Sequence, residues 1–148
     1  MSESRAPKWA WWVATGLGSG RLRPAPGTWG TLAGLLAWVL LIRLCPALFH
    51  LGWLSLLTLA LTALGVWTSG RVAEAAGQKD PSFIVIDEWA GLWVALLPLT
   101  LHGPLGPWPA TALRLLAPFL LFRLFDIWKP GPVNHAQGLP GGWGVVMD

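Results

Sequence analysis

Hydrophobic positions fall into four long blocks, parted by short stretches rich in glycine, proline or charge. The clearest block is Ala47–Trp67, ALFHLGWLSLLTLALTALGVW, which holds no Lys, Arg, Asp or Glu. Thr28–Leu44 precedes it and ends beside Arg43. Cys45-Pro46 separates the two, because proline cannot continue a helix and restrains the residue before it. A third block runs from Ile84 to Leu101 and a fourth from Trp108 to Phe125, holding Pro98 and Pro118 respectively. A helix crosses a bilayer with roughly 17–25 apolar residues. The pattern therefore predicts an all-α, polytopic membrane helical bundle with about four membrane segments, residues 1–148 forming one domain. The two proline-bearing segments are predicted to kink, tilt or partly re-enter, with neighbours satisfying the freed backbone groups. A shorter run, WAWWVA at Trp9–Ala14, is too short for a signal segment and reads as an uncleaved, interfacial start.

Composition strengthens this picture. Hydrophobic residues make up 54% of the 148 and charged residues only 11%, against about 25% charged in a soluble domain. Ten Lys and Arg outnumber seven Asp and Glu, but no basic run with interleaved aromatics exists, so nucleic acid is not an expected partner. Nor is an obligate protein partner evident. The single cysteine, Cys45, can form no internal disulfide, and no Cys or His stands at zinc-ligand spacing.

The charges are not scattered. Arg5, Lys8, Arg21, Arg23, Arg71, Lys79, Arg123 and Lys129 all fall in the polar stretches that four crossings would place on one side; Arg43 and Arg114 are the exceptions. The positive-inside tendency makes that side cytoplasmic. Glu74, Asp80, Asp87, Glu88, Asp126 and Asp148 follow the same partition. Three polar segments, distant in sequence, are thus predicted to meet at one face.

Each segment has a chemical and a structural reading. In Gly16–Leu35, GLGSGRLRPAPGTWGTLAGL, the glycines allow close backbone approach to a ligand, with Gly18, Ser19 and Thr28 as candidate headgroup contacts; a plain entry loop with glycine-mediated helix packing is the alternative. In Gly77–Gly91, GQKDPSFIVIDEWAG, the adjacent acids Asp87 and Glu88 enter an apolar helix, which is costly unless a cation sits with them. Magnesium favours such oxygen ligands. Asp80 equally suits a turn, and Asp87 a helix cap. In Phe122–Asp148, Arg123, Asp126 and Lys129 share one helix face. Asp126 suits a metal, and Arg123 and Lys129 a phosphate; a snorkelling ion pair at a helix end is the bland reading. His135 lies on the same side; His50 and His102 read as structural. What remains after excluding thiolate, serine-triad and zinc chemistry is metal-assisted chemistry on a phosphorylated, membrane-embedded substrate. A small transporter or channel subunit, using the acids as an ion path, is the alternative; it predicts carboxylates through the membrane depth.

Together, GSGRLRPAPGTWGTLAG, KDPSFIVIDEWAG and FRLFDIWKPGPV…GGWGVVMD resemble the phosphatidylglycerophosphatase A family. The resemblance implies Mg²⁺-dependent dephosphorylation of phosphatidylglycerophosphate to phosphatidylglycerol at the bacterial cytoplasmic membrane, with the active site on the cytoplasmic side. It places the family's acidic motif on Asp80, Asp87 and Glu88, and its Phe-Arg-x-x-Asp-x-x-Lys-Pro motif on Arg123, Asp126, Lys129 and Pro130. Asp87, Glu88 and Asp126 become the expected catalytic metal centre, with Asp80 and Asp148 as further metal ligands and Lys79, Arg123 and Lys129 on phosphate. Asp148 matches the first of an Asp-Asp pair. The resemblance implies a second Asp and a last apolar helix after it.

Overall fold

The computed structural model of the chain describes residues 6–128 and 138–146. Among these, all regular structure is helical and no strand occurs, as the hydrophobic pattern predicts. The helices are α1 (Lys8–Ala14), α2 (Pro26–Leu44), α3 (Leu51–Ala76), α4 (Ile86–Leu96), α5 (Trp108–Trp128) and α6 (Gly142–Val146), with 3-10 turns at Ser19–Arg21, Pro46–Leu48 and Leu97–His102.

Local chemistry sets the boundaries. Pro26 opens α2 at a position where its missing N–H costs nothing. His50 precedes α3 and its Nδ1 accepts the Gly52 N–H at 3.2 Å, so α3 begins at Leu51 rather than at Ala47. It continues past Trp67 to Ala76 and stops at Gly77, whose φ of 66° is left-handed and suits glycine. Among the described residues, α2 and α3 are the two helices long and apolar enough to cross a membrane by length and composition. The third predicted segment is divided: α4 ends at Leu96 and Pro98 lies inside the 3-10 turn that follows. The fourth is one helix of 21 residues despite Pro118.

Helix α4 is the hub, packed against α2, α3, α5 and α6. Its Ile86 and Trp89 join Ala10, Ala14, Val72 and Val145 in one buried cluster. Its Leu92, Trp93 and Leu96 join Trp38, Leu54 and Leu115 in another. In contrast α5 buries only Thr111 and Leu115, and presents Leu113, Leu116, Leu120, Leu121 and Leu124 outward. So broad an apolar face is rare on a soluble monomer and suits contact with lipid.

The close fit of α2 on α4 rests on small residues. A Cβ at Gly30 would lie 2.5 Å from Val85 Cβ, and one at Gly34 would lie 2.9 Å from Trp89 Cγ. With no side chain at Gly30 or Gly34, the two helices approach closely enough for Trp93 Nε1 to donate to the Gly34 carbonyl at 3.1 Å. At one end of the bundle the same approach positions the first turn of α4 against the first turn of α2.

The two basic residues that break the charge partition have structural partners at the other end. Arg114 donates to the carbonyls of Leu99, His102, Gly103 and Pro104 at 2.8–3.3 Å. Arg43 donates to Gly106 O and Thr111 Oγ1 and lies over the Trp108 ring. Both hold the turn between α4 and α5, whose carbonyls have no helical partner. Cys45 is exposed at this end.

Candidate active site

The site is built where the first turns of α2 and α4 meet the last turns of α5. Arg123 Nη1 donates to Glu88 Oε2 at 2.6 Å and to Asp126 Oδ2. One nitrogen therefore lies between carboxylates from two helices. Side-chain exposure is only 15% for Arg123, 10% for Glu88 and 15% for Asp126, so the pairs are formed largely out of water. Burial on that scale costs several kcal/mol per ion unless partners compensate.

Thr31 supplies part of that compensation. Its Oγ1 lies 2.7 Å from Glu88 Oε2 and 2.8 Å from Gly27 O, and its single proton serves one at a time. It also accepts from Arg123 Nη1 at 3.4 Å. Thr28 is at the rim, accepting from Arg123 Nη2 at 3.5 Å. Gly27 completes the wall, since a Cβ there would strike Glu88 Oε1.

Asp87 is next to this group in space as well as in sequence, and feels the charges of both Glu88 and Asp126. Its Oδ1 is shut off from solvent and accepts no hydrogen bond. Glu88 and Asp126 thus share the Arg123 guanidinium, and the neighbouring Asp87 keeps one oxygen without a hydrogen-bond donor among the described residues. Carboxylate oxygens are the atom type that a hard divalent cation takes. Among the described residues no three acids already form a closed ligand cage; the guanidinium of Arg123 stands between Glu88 and Asp126.

The other predicted site residues lie elsewhere. Lys79 and Asp80 are exposed and line a different cleft of about 540 Å³, with Glu74, Gln78 and Leu139. Gly18 has a left-handed φ of 92° and Ser19 donates to Gly16 O at 2.8 Å, in a turn packed beside α1. Lys129, His135 and Asp148 lie outside the described residues. The described acids Glu74, Asp80, Asp87, Glu88 and Asp126 stand in or next to the helix ends on the α2 N-terminal side, which speaks against an ion path through the bundle. Sequence reasoning missed Thr31 and Gly27. The signal was the one-turn spacing of Thr28 and Thr31, which puts two hydroxyls on one face of a glycine-rich helix.

The sequence profile of the family Phosphatidylglycerophosphatase A matches residues 12–148, which include every residue of this cluster. The chain belongs to that family. Two relatives bear the same name: one from Haemophilus influenzae, 36% identical over 92% of this chain and 77% of its own length, and one from Escherichia coli, 34% identical over 92% and 72%. A protein of Bacteroides thetaiotaomicron, provisionally named a phosphatidylinositol-3-phosphatase, is 36% identical over 92% of this chain and 81% of its own. No solved structure gives a significant match. Membership of the phosphatidylglycerophosphatase A family makes the chain a phosphatase.

Proposed function

We propose that this phosphatase hydrolyses the terminal phosphomonoester of phosphatidylglycerophosphate, releasing inorganic phosphate and phosphatidylglycerol, and that it depends on Mg²⁺. The observation that carries the reading is the sharing of Arg123 by Glu88 and Asp126 beside the unpartnered Oδ1 of Asp87. In hydrolysis a water oxygen joins phosphorus, the P–O bond to glycerol breaks, and the departing glycerol oxygen gains a proton. Asp87, Glu88 and Asp126 would hold the ion, which when bound would neutralise phosphate charge and lower the pKa of a water. Arg123 would then exchange a carboxylate for phosphate oxygens, which its planar fork suits. Lys129 would add a point charge, and the Thr28 hydroxyl a rim contact.

We place the reaction at the cytoplasmic face of a bacterial inner membrane. Helix α2, with 19 residues, rises about 28 Å, close to the roughly 30 Å of hydrocarbon. Helix α4 with its 3-10 extension, and α5, have comparable heights, which supports four membrane segments with the carboxylate end in the headgroups. Most basic residues gather at that end.

The test is phosphate release from phosphatidylglycerophosphate in mixed micelles, with phosphatidylinositol 3-phosphate as a second substrate because of the name of the Bacteroides relative. Release that stops with chelator and returns with Mg²⁺ supports the reading. Equal release in chelator would remove the ion, and turnover of the inositol lipid alone would replace the substrate.

A further inference from the structure

A second feature lies against the outer side of α1 and α2, and none of its lining residues belongs to the carboxylate cluster. Lys8, Trp11, Trp12, Thr15, Gly18 and Arg21 enclose a cleft of about 250 Å³. Lys8 and Arg21 are exposed, and no acid pairs with either among the described residues. At Trp12 and Gly18 this cleft adjoins a shallow apolar groove of about 540 Å³ that runs along α2 past Leu17, Leu36, Ala37 and Leu40. Trp89 lines the groove, is 8% exposed, and keeps a buried Nε1–H that meets no acceptor in the protein.

We infer that cleft and groove together form a non-catalytic site for one anionic glycerophospholipid of the surrounding membrane. The headgroup phosphate takes the Lys8–Arg21 cleft, and an acyl chain follows Leu17, Leu36 and Leu40. The order of chemistry along the feature is that of the lipid: cationic, then aromatic, then aliphatic. Tryptophan suits the glycerol and headgroup level between the two. A zwitterionic lipid brings a cation that meets Lys8 and Arg21 unfavourably, so the site selects net negative headgroups. The α1 helix is held in place for this role by Trp9 stacked on Trp67 at 5.1 Å and Trp11 on Phe83 at 5.7 Å. Gly18 and Ser19 thereby contact a resident lipid rather than the reacting phosphate.

Native mass spectrometry of the full chain, released from detergent micelles doped with equal phosphatidylglycerol and phosphatidylcholine, tests this. The expected result is one retained phosphatidylglycerol in preference to phosphatidylcholine. The double variant Lys8→Gln/Arg21→Gln should lose that preference, by roughly fivefold per charge removed. Arg71→Gln, which alters an exposed cation stacked on Trp67, should keep it. Phosphatase activity in neutral detergent should stay within about twofold for the double variant, since neither residue touches the carboxylate cluster. Equal retention of both lipids, or an unchanged preference in the double variant, would overturn the site. Loss of activity in a folded double variant would overturn its non-catalytic character and hand the cleft to the substrate.

Discussion

Thr31 of α2 and Glu88 of α4, separated by 57 positions in the chain, meet through a hydroxyl and a carboxylate 2.7 Å apart. Gly27, Gly30 and Gly34 let α2 come close enough for this contact, and Arg123 Nη1 donates to the same Glu88 Oε2 at 2.6 Å. Thr31 is fully buried. Thr31→Ala should lower turnover about tenfold, the value of roughly one hydrogen bond to a charged group, while Thr31→Ser should stay within about threefold. Phosphate-release rates for the two variants check this; equal loss in both would assign Thr31 to packing alone.

The carboxylates should be less forgiving. Glu88→Gln and Asp126→Asn each keep shape and remove a charge that faces Arg123. Each should lower activity at least about a hundredfold, with helix content by circular dichroism unchanged. Wild-type rates in both variants would dismantle the catalytic cluster.

Removing the cation should act differently. Arg123→Gln leaves Glu88 and Asp126 facing one another without the intervening guanidinium. Breaking a buried pair in this way costs about 3–5 kcal/mol, so both thermal stability and activity should fall. A bound divalent ion should restore part of the stability. Thermal unfolding in detergent, with and without Mg²⁺, measures this.

Glycine positions on α2 should separate stability from chemistry. Gly30→Ala pushes a methyl into Val85 and should destabilise the bundle by about 1–3 kcal/mol. Gly27→Ala pushes one into the Glu88 carboxylate, and should reduce activity more than it reduces the unfolding temperature. Side-by-side melting curves and rates report the contrast.

At the far end the expectation reverses. Arg114→Ala frees the carbonyls of Leu99, His102, Gly103 and Pro104 from their shared donor. It should cost about 1–3 kcal/mol of stability and leave KM unchanged.

Much of this was legible in the chain. Blocks of Leu, Ala and Trp announced α2 and α3, and the Asp87-Glu88 and Arg123–Asp126 spacings announced the charged cluster, because helical periodicity is local. What was not legible depends on encounters between helices. Arg43 and Arg114 broke the charge partition until the structure gave Arg114 four backbone carbonyls, and Arg43 one carbonyl, the Thr111 hydroxyl and the Trp108 ring. The third block divided at Leu96 because Pro98 favours a tighter turn there. Thr31 has no distinguishing neighbour in the chain itself, and only the approach of Glu88 gives it work. Lys79 and Asp80 sit in the same motif as Asp87, yet the turn after Gly77 carries them to another cleft.

Cys45 is the chain's sole thiol, and it is exposed at the end of the bundle opposite the carboxylates. Nature has thus left one addressable handle on the pole away from the chemistry. A maleimide too polar to enter vesicles would tag it from only one compartment, and the compartment that succeeds fixes the orientation of the whole molecule without an engineered residue.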